Sequence, residues 1–162
     1  MNKSHHPKEE RTLVLIKPDA LMRHLLGEII HRFERKGLKI IGLKMLKMDN
    51  ALLKEHYGKY QDKPFFAGLA NHMKRSPIVA IVVSGVRAIT ATRFIVGATK
   101  GYEADAGTIR GDFSMSIQSN LVHASDPEEN PEAEITRFFK EDELFEYQRV
   151  DFDLLYGEEE LE

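Results

Sequence analysis

The most restrictive feature of this sequence is an unbroken apolar run, IVAIVV, at Ile78–Val83. Ser76 and Pro77 precede the run, and Ser84 and Gly85 follow it, so turn-forming residues bound it at both ends. Short apolar runs that are rich in β-branched residues and enclosed by turn residues indicate buried strands. We therefore predict a central β-strand here, around which the other elements must assemble.

The rest of the hydrophobic pattern predicts further strands and several helices. The predicted strands are Arg11–Ile16, Leu38–Met48 with a bulge at Gly42, and Asn120–Ser125. The predicted helices are Gly27–Gly37, Asp49–Tyr57, a helix that begins at Asp62–Pro64, Arg87–Val96 and Pro131–Phe139. Residues 97–119 have little periodicity and form a predicted long loop, a feature that commonly carries function in a compact domain. This order of elements predicts an α+β sandwich in which helices cover one side of a single sheet.

The composition is that of one globular domain. The chain has 162 residues, of which 42% are hydrophobic and 30% charged, and it has no apolar run long enough to span a bilayer. It has no cysteine, which excludes disulfides and thiolate chemistry, and its net charge of −3 argues against general nucleic-acid binding. The polar N-terminus has no signal-peptide core, so we expect a cytoplasmic protein. We expect a mobile lead at residues 1–10, one domain at 11–150 and an acidic tail at 151–162.

Polar residues that could bind an anion are concentrated at predicted strand ends and in the long loop. The common phosphate-loop, dinucleotide, zinc-protease and serine-hydrolase motifs are all absent from the sequence. Each polar residue alone has an ordinary structural explanation, but together they provide cations, neutral donors and an imidazole. They are Lys17, Tyr57, Arg93, Thr99, Arg110, Asn120, His123 and Ser125. Such a set suits a triphosphate, because phosphoryl transfer depends mainly on positioning and on charge stabilisation.

Several sequence blocks then match one known family in their order along the chain. The blocks are LVLIKPDA, GEIIHRFERKGLKIIGLK, LLKEHY, KPFFAGL, GTIRGDF and NLVHASD followed by EAEI. From Arg11 to about Tyr147 the chain closely resembles nucleoside diphosphate kinases. The resemblance implies a ferredoxin-like α+β sandwich, with an antiparallel four-stranded sheet covered by helices.

The resemblance also implies a reaction and a role for each matched residue. His123 would accept the γ-phosphate of a nucleoside triphosphate, mainly ATP, and pass it to a nucleoside diphosphate by a ping-pong mechanism. The implied catalytic set is His123, Lys17, Glu134, Ser125 and Tyr57, in which Ser125 and Glu134 support the histidine. The implied nucleotide-binding set is Lys17, Tyr57, Phe65, Arg93, Thr99, Arg110, Ile117 and Asn120. Mg²⁺ would arrive bound between the nucleotide phosphates, with no protein ligands, and the protein would be a homo-oligomer without nucleic-acid or membrane partners.

These implied roles agree with the chemistry of the residues. A neutral imidazole is a good nucleophile near pH 7, since its pKa is ordinarily ~6.5. A carboxylate such as Glu134 can fix the tautomer and orientation of the ring. A base that lies between Phe65 and Ile117 makes contacts that every base can make, which predicts a broad tolerance for purines and pyrimidines.

Three departures from the family pattern leave alternatives open. Ala124 stands where the family usually has glycine, which would cost energy if the position needs a positive φ. The loop TKGYEADAG lacks the prolines usual in the family, and the tail after Tyr147 could pack on its own domain or on a neighbouring subunit. One alternative is a non-catalytic relative that binds nucleotide or a protein. The other is an RNA-binding sheet, for which the sequence has neither the aromatic strand motif nor the basic face.

Overall fold

The computed structural model describes residues 6–126, 128 and 130–162. The first five residues of the predicted N-terminal lead lie outside this range. The strands are β1 (Glu9–Ile16), β2 (Lys39–Leu46), β3 (Ile78–Val86) and β4 (Val122–Ala124). The helices are α1 (Pro18–Met22), α2 (Leu26–Arg35), α3 (Asn50–Tyr57), α4 (Phe66–Met73), α5 (Ala88–Val96), α6 (Ile109–Phe113), α7 (Pro131–Phe138), α8 (Phe152–Leu155) and α9 (Glu158–Leu161). Short 3₁₀ helices lie at Gly58–Tyr60, Gly101–Glu103 and Glu141–Glu143.

The four strands form one antiparallel sheet in the order β2-β3-β1-β4. This is the strand order of a ferredoxin-like sandwich, so the predicted fold class is confirmed. The apolar run at Ile78–Val83 lies within β3, an inner strand, as predicted. The pairing of β2 with β3 shifts register between Ile40 and Gly42, which confirms the bulge predicted at Gly42.

Helices cover both faces of this sheet, so the prediction that they cover one side is wrong. Successive side chains of a strand point to opposite faces. Accordingly, Val14 and Ile16 pack with Phe33 of α2 on one face, whereas Leu13 and Leu15 pack on the other. The second face is covered by α3, α4 and α7. An RNA-binding sheet needs an open face of aromatic residues, and neither face of this sheet is open in that way.

Local sequence signals explain most helix boundaries. The Asp49 side chain accepts a hydrogen bond from the Leu52 amide at 2.8 Å and so begins α3 at the predicted position. Asn130 caps α7 in the same way, and Pro131 occupies its first turn. The helix predicted from Asp62 begins only at Phe66, because the residues before it form turns.

Residues at both chain ends contact the central sheet. Glu9 and Glu10, which fall within the predicted mobile lead, pair with Val86 and Gly85 and extend β1. In the C-terminal region, the Tyr156 hydroxyl accepts a hydrogen bond from the Val86 amide at 3.1 Å. The tail after Tyr147 therefore packs on its own domain, which is one of the two alternatives that the sequence left open. Within the described ranges, no helix combines the length and apolarity needed to cross a membrane.

The segment at residues 97–119 is more ordered than a plain loop, because it contains a 3₁₀ helix and α6. Thr108 caps α6 by accepting a hydrogen bond from the Gly111 amide. A Cβ added at Gly111 would lie 1.9 Å from the carbonyl oxygen of Asp105. Only glycine permits this approach of two backbone segments, and the approach holds the segment that carries Arg110.

A matched pair of glycine substitutions tests this close approach. We expect Gly111→Ala to lower the free energy of unfolding by about 1–3 kcal/mol, because the Cβ collides with backbone. Gly27, in α2, has no atom within 4 Å of an added Cβ, so Gly27→Ala should raise stability by about 0.5–1 kcal/mol. Urea denaturation of both variants checks this, and equal effects at the two positions would contradict it.

Candidate active site

Most of the predicted site residues line one cleft with a volume of about 350 Å³. Its walls come from the end of β1, the end of α3, the segment before α4, helix α5, the 97–119 segment and β4. The predicted residues that line it are Lys17, Tyr57, Phe65, Arg93, Thr99, Arg110, Ile117, Asn120 and His123. The other two, Ser125 and Glu134, are buried and hydrogen-bonded to each other beside His123.

A buried carboxylate contacts the imidazole of His123. It lies in β4 opposite Leu15 of β1, and its Nε2 lies 3.1 Å from Oε2 of Glu134 in α7. The Ser125 hydroxyl donates to the same carboxylate oxygen at 2.9 Å. Glu134 is thus fixed by two partners, and it fixes the orientation of the imidazole.

The protonation states follow from these contacts. Burial alone would raise the pKa of Glu134, but the hydrogen bond and charge of His123 outweigh it and lower this pKa. An ionised carboxylate can only accept hydrogen bonds, so Nε2 of His123 carries a proton. Burial, followed by repulsion from Lys17 and Arg110, lowers the pKa of His123 despite the attraction of Glu134. The ring is therefore neutral at pH 7, and Nδ1 keeps its lone pair.

Lys17 connects the end of β1 to the long segment. Its Nζ donates to Oδ1 of Asn120 at 2.6 Å, and Nδ2 of Asn120 donates to the Thr99 carbonyl at 2.8 Å. Lys17 is only 6% exposed. Burial, helped by repulsion from Arg110, lowers the pKa of Lys17 to about 8. An anion in the cleft would find this cation already oriented and largely desolvated.

Arg110 is a second buried cation, and it is held by three backbone carbonyls. Its guanidinium donates to the carbonyls of Gly97 at 2.9 Å, Asn120 at 3.2 Å and Val122 at 2.7 Å. Burial, followed by repulsion from Arg93, lowers the pKa of Arg110 to about 10. Arg110 therefore remains charged at pH 7 and ties the end of α5 to both sides of Leu121.

Leu121 adopts an unusual backbone conformation between Asn120 and β4. Its φ is +72°, which is uncommon for a non-glycine residue. The Leu121 amide donates to Oδ2 of Asp19 at 3.0 Å, and its carbonyl accepts from the Lys17 amide at 2.8 Å. The other oxygen of Asp19 lies 2.8 Å from Nε2 of buried His72. Asp19, which the sequence analysis did not single out, therefore fixes the turn that places Asn120 and His123.

The mouth of the cleft is aromatic and apolar. Phe65 and Ile117 are 55% and 52% exposed, and both line the cleft. The ring of Tyr60 lies 5.6 Å from that of Phe65, centroid to centroid. Deeper in the cleft, Tyr57 is buried with its ring 5.9 Å from that of His123, and burial raises its pKa. Exposed flat surface at the entrance and buried cations inside match a ligand with a base at one end and phosphates at the other.

Ala124 does not adopt the positive φ that would have made alanine costly at this position. Ala124 lies in β4 opposite Val14, and its φ is not among the positive values. Its methyl group therefore introduces no left-handed strain beside His123.

Sequence reasoning missed one residue in direct contact with the imidazole. His56 is 5% exposed, and its ring packs edge-on against His123, with the centroids 4.6 Å apart. Its only sequence signal is its place before Tyr57 in the last turn of α3, which does not distinguish it from an ordinary buried histidine. Contact between residues 67 positions apart is set by tertiary packing alone.

Comparisons with known proteins agree with this geometry. The sequence profile of the family described as nucleoside diphosphate kinase matches residues 10–144. A nucleoside diphosphate kinase of Methanobrevibacter smithii is 48% identical over 147 residues, covering 91% of this chain and 98% of the relative. One of Pyrococcus horikoshii is 50% identical over 144 residues, covering 87% and 92%. The structure of a Halobacterium salinarum nucleoside diphosphate kinase in complex with CDP superposes with a TM-score of 0.90 at 42% identity, covering 92% of this chain and 99% of that one. The chain belongs to the nucleoside diphosphate kinase family.

Proposed function

We propose that this protein transfers the γ-phosphate of a nucleoside triphosphate to a nucleoside diphosphate through a phosphohistidine at His123. The observation that carries the proposal is the bond from Nε2 of His123 to Glu134, which leaves the Nδ1 lone pair available in a cationic cleft. In the first half-reaction, Nδ1 attacks the γ-phosphorus, the bond to the bridging oxygen breaks, and the diphosphate leaves. In the second, a different diphosphate attacks the phosphohistidine, which restores the histidine.

The cations of the cleft support this reaction. Lys17 and Arg110 are buried at its base, and Arg93 lines it from α5. Phosphoryl transfer needs charge stabilisation on the transferred group and on the leaving oxygen, and fixed cations supply it without reorganisation. Thr99 and Asn120 add neutral groups for the phosphates and the sugar. The CDP bound to the Halobacterium salinarum relative is consistent with a nucleotide in this cleft.

We also propose that Mg²⁺ enters the cleft bound to the phosphates of the nucleotide. Asp126 is the one carboxylate among the described residues that line the cleft, and the other charged residues there are lysines and arginines. Mg²⁺ prefers octahedral oxygen ligands and retains waters, so a cleft with one carboxylate fits an ion held mainly by phosphates. When bound, the ion would neutralise phosphate charge, and Asp126 could add one carboxylate oxygen to the phosphate oxygens that hold it.

The proposal also includes assembly and location. β2 ends the sheet, and its Leu43 and Met45 side chains are 52% and 60% exposed. An exposed edge strand with apolar side chains favours pairing with another chain, which supports a homo-oligomer. The absence of cysteine supports a cytoplasmic location.

The nucleophile can be tested by direct labelling. We expect incubation with γ-labelled ATP and Mg²⁺ to give an acid-labile, base-stable phosphoprotein, and His123→Ala to give none. His31→Ala, which removes an exposed histidine on α2, should label like the parent. Labelling of His123→Ala at the parent level would contradict the mechanism. Binding of nucleotide without labelling of the parent would instead identify a non-catalytic relative.

The role of Glu134 can be tested through the rate of protein phosphorylation and the titration of His123. We expect Glu134→Gln to slow phosphorylation of the protein by about 10–100-fold, because the ring loses its orienting anion. Burial lowers the pKa of His123 more than Glu134 raises it, so the NMR titration midpoint of His123 should lie below ~6.5 in the parent. It should move further down in Glu134→Gln. The control is Glu132→Gln, an exposed position on the same helix, and an upward shift in Glu134→Gln would refute the assignment.

The base contact predicts a uniform loss of affinity. We expect Phe65→Ala to raise KM by about tenfold for purine and pyrimidine diphosphates alike, because stacking contributes about 1–3 kcal/mol per base and ignores base identity. Phe94→Ala is the matched control, since Phe94 is 76% exposed on α5 and does not line the cleft. A loss confined to one base class would show that a base-specific contact had been missed.

A further inference from the structure

Behind the phosphate-accepting histidine lies a cluster of side chains that suits a metal ion. His56, His123 and Glu134 each offer one ligand atom, and these three atoms lie within 4.8 Å of one another. We propose that this cluster is an inhibitory Zn²⁺ site, in which the ion bridges the three side chains and silences His123. The binding part of this proposal stands alone, whereas the inhibition rests on the proposed phosphohistidine mechanism.

His56 is the main support for this proposal, because both of its ring nitrogens lack a hydrogen-bond partner within the described structure. The side chain is 5% exposed, and neither Nδ1 nor Nε2 has a hydrogen-bond partner among the described residues. Its ring packs edge-on against His123 and Phe138, with centroid separations of 4.6 and 5.1 Å. An unpaired buried polar group is costly. A metal ion between His56 and His123 would give one of these nitrogens a partner.

The protonation states suit a metal without any proton being released. Burial lowers the pKa of His56 to about 3, so its imidazole is neutral at pH 7. His123 is neutral and Glu134 is ionised for the reasons given above. Metal binding normally competes with protons on its ligands. Here His56 and Glu134 are already in their metal-binding forms, and His123 needs only to move its proton from Nε2 to Nδ1.

The ligand chemistry selects zinc over the magnesium that accompanies nucleotides. Two imidazoles and one carboxylate, with the fourth position open to water, form a recurrent tetrahedral Zn²⁺ set, whereas Mg²⁺ prefers oxygen ligands. Bonds of about 2.0–2.2 Å place tetrahedral ligand atoms roughly 3.3–3.6 Å apart. Nε2 of His123 and Oε2 of Glu134 are already 3.1 Å apart. Closing the site therefore requires movement mainly of His56. Ser125 would continue to orient the carboxylate through its 2.9 Å hydrogen bond.

Inhibition follows from the tautomer of His123. The ring of a neutral imidazole has one N–H and one lone pair. A Zn²⁺ ion on Nε2 uses the lone pair at that nitrogen, so the proton that Nε2 donated to Glu134 must move to Nδ1. Nδ1 then has no lone pair with which to attack phosphorus. The ion would switch off the nucleophile without occupying the nucleotide cleft itself.

The binding test uses Zn²⁺ alone with chelator-treated, nucleotide-free protein, since nucleotides bind metals themselves. We expect calorimetry to give one Zn²⁺ per chain, and His56→Phe to weaken the affinity at least tenfold while keeping an aromatic ring in the same packing. A variant in which His5 and His6 are both alanine should bind like the parent. Zinc binding that survives His56→Phe, or that is lost with His5 and His6, would overturn the proposal. Thermal melting verifies that His56→Phe is folded, and the visible spectrum of the Co²⁺-substituted parent must show tetrahedral coordination.

The inhibition test measures the chemical reactivity of the His123 imidazole and does not rely on phosphoryl transfer. Diethyl pyrocarbonate acylates unprotonated imidazole nitrogens, and peptide mass spectrometry reports the rate at His123. We expect Zn²⁺ to slow this reaction about tenfold or more in the parent and to have little effect in His56→Phe. His31, which is exposed, serves as the internal control. Equal acylation rates at His123 with and without bound Zn²⁺ would refute the inhibition. If Zn²⁺ slows acylation but the labelling experiment gives no phosphohistidine, the proposed function is refuted instead.

Discussion

The backbone turn at Leu121 is the constraint on which the cleft depends. A non-glycine residue with a φ of +72° costs about 1–3 kcal/mol and persists only where its surroundings hold it. Here Asp19 accepts from its amide and Lys17 donates to its carbonyl, so β1 and α1 hold the turn from one side. Arg110 holds the carbonyls of the residues before and after it. Without this turn, Asn120 and His123 would not be directed into the same cleft.

The sheet supports this turn because it is buried on both faces. The sequence could predict β3 as a central strand from its continuous apolar run, and the antiparallel sandwich followed from the family resemblance. The expectation of a one-sided helical layer was wrong for a reason that the same run contains. A strand with one open face alternates apolar and polar residues, whereas Ile78–Val83 is apolar throughout. Continuous apolarity required a layer on each side, and α3, α4 and α7 provide the second one.

The candidate site divides into a part that the sequence could reveal and a part that it could not. Lys17, Arg110 and His123 lie at strand ends or in the long segment, where functional side chains are expected, and the ordered family blocks assigned them together. Asp19 and His56 lacked such a signal, because their importance comes from contacts with Leu121 and His123 that only the folded chain creates. Hydrophobic periodicity reports which face of a helix is buried, but it does not report what a buried polar side chain touches. The length of β4, three residues instead of six, was missed for a similar reason: Leu121 is apolar yet leaves the strand conformation.

The electrostatics of the cleft connect ligand binding to the state of the nucleophile. Burial lowers the pKa of His123 most, and Lys17 and Arg110, which are placed to attract phosphates, lower it further, so the ring stays unprotonated. Glu134 opposes this effect, but its hydrogen bond assigns the remaining proton to Nε2. Removing the anion would lower the pKa of His123 further and leave the tautomer unfixed, and removing the cations would favour the protonated, non-nucleophilic ring. A reactive Nδ1 at pH 7 is therefore favoured by burial and by both kinds of charge, since the carboxylate fixes the tautomer and the cations disfavour protonation. A divalent ion beside Nε2 would upset this balance from the side opposite the nucleotide, because it takes the position that the Nε2 proton needs.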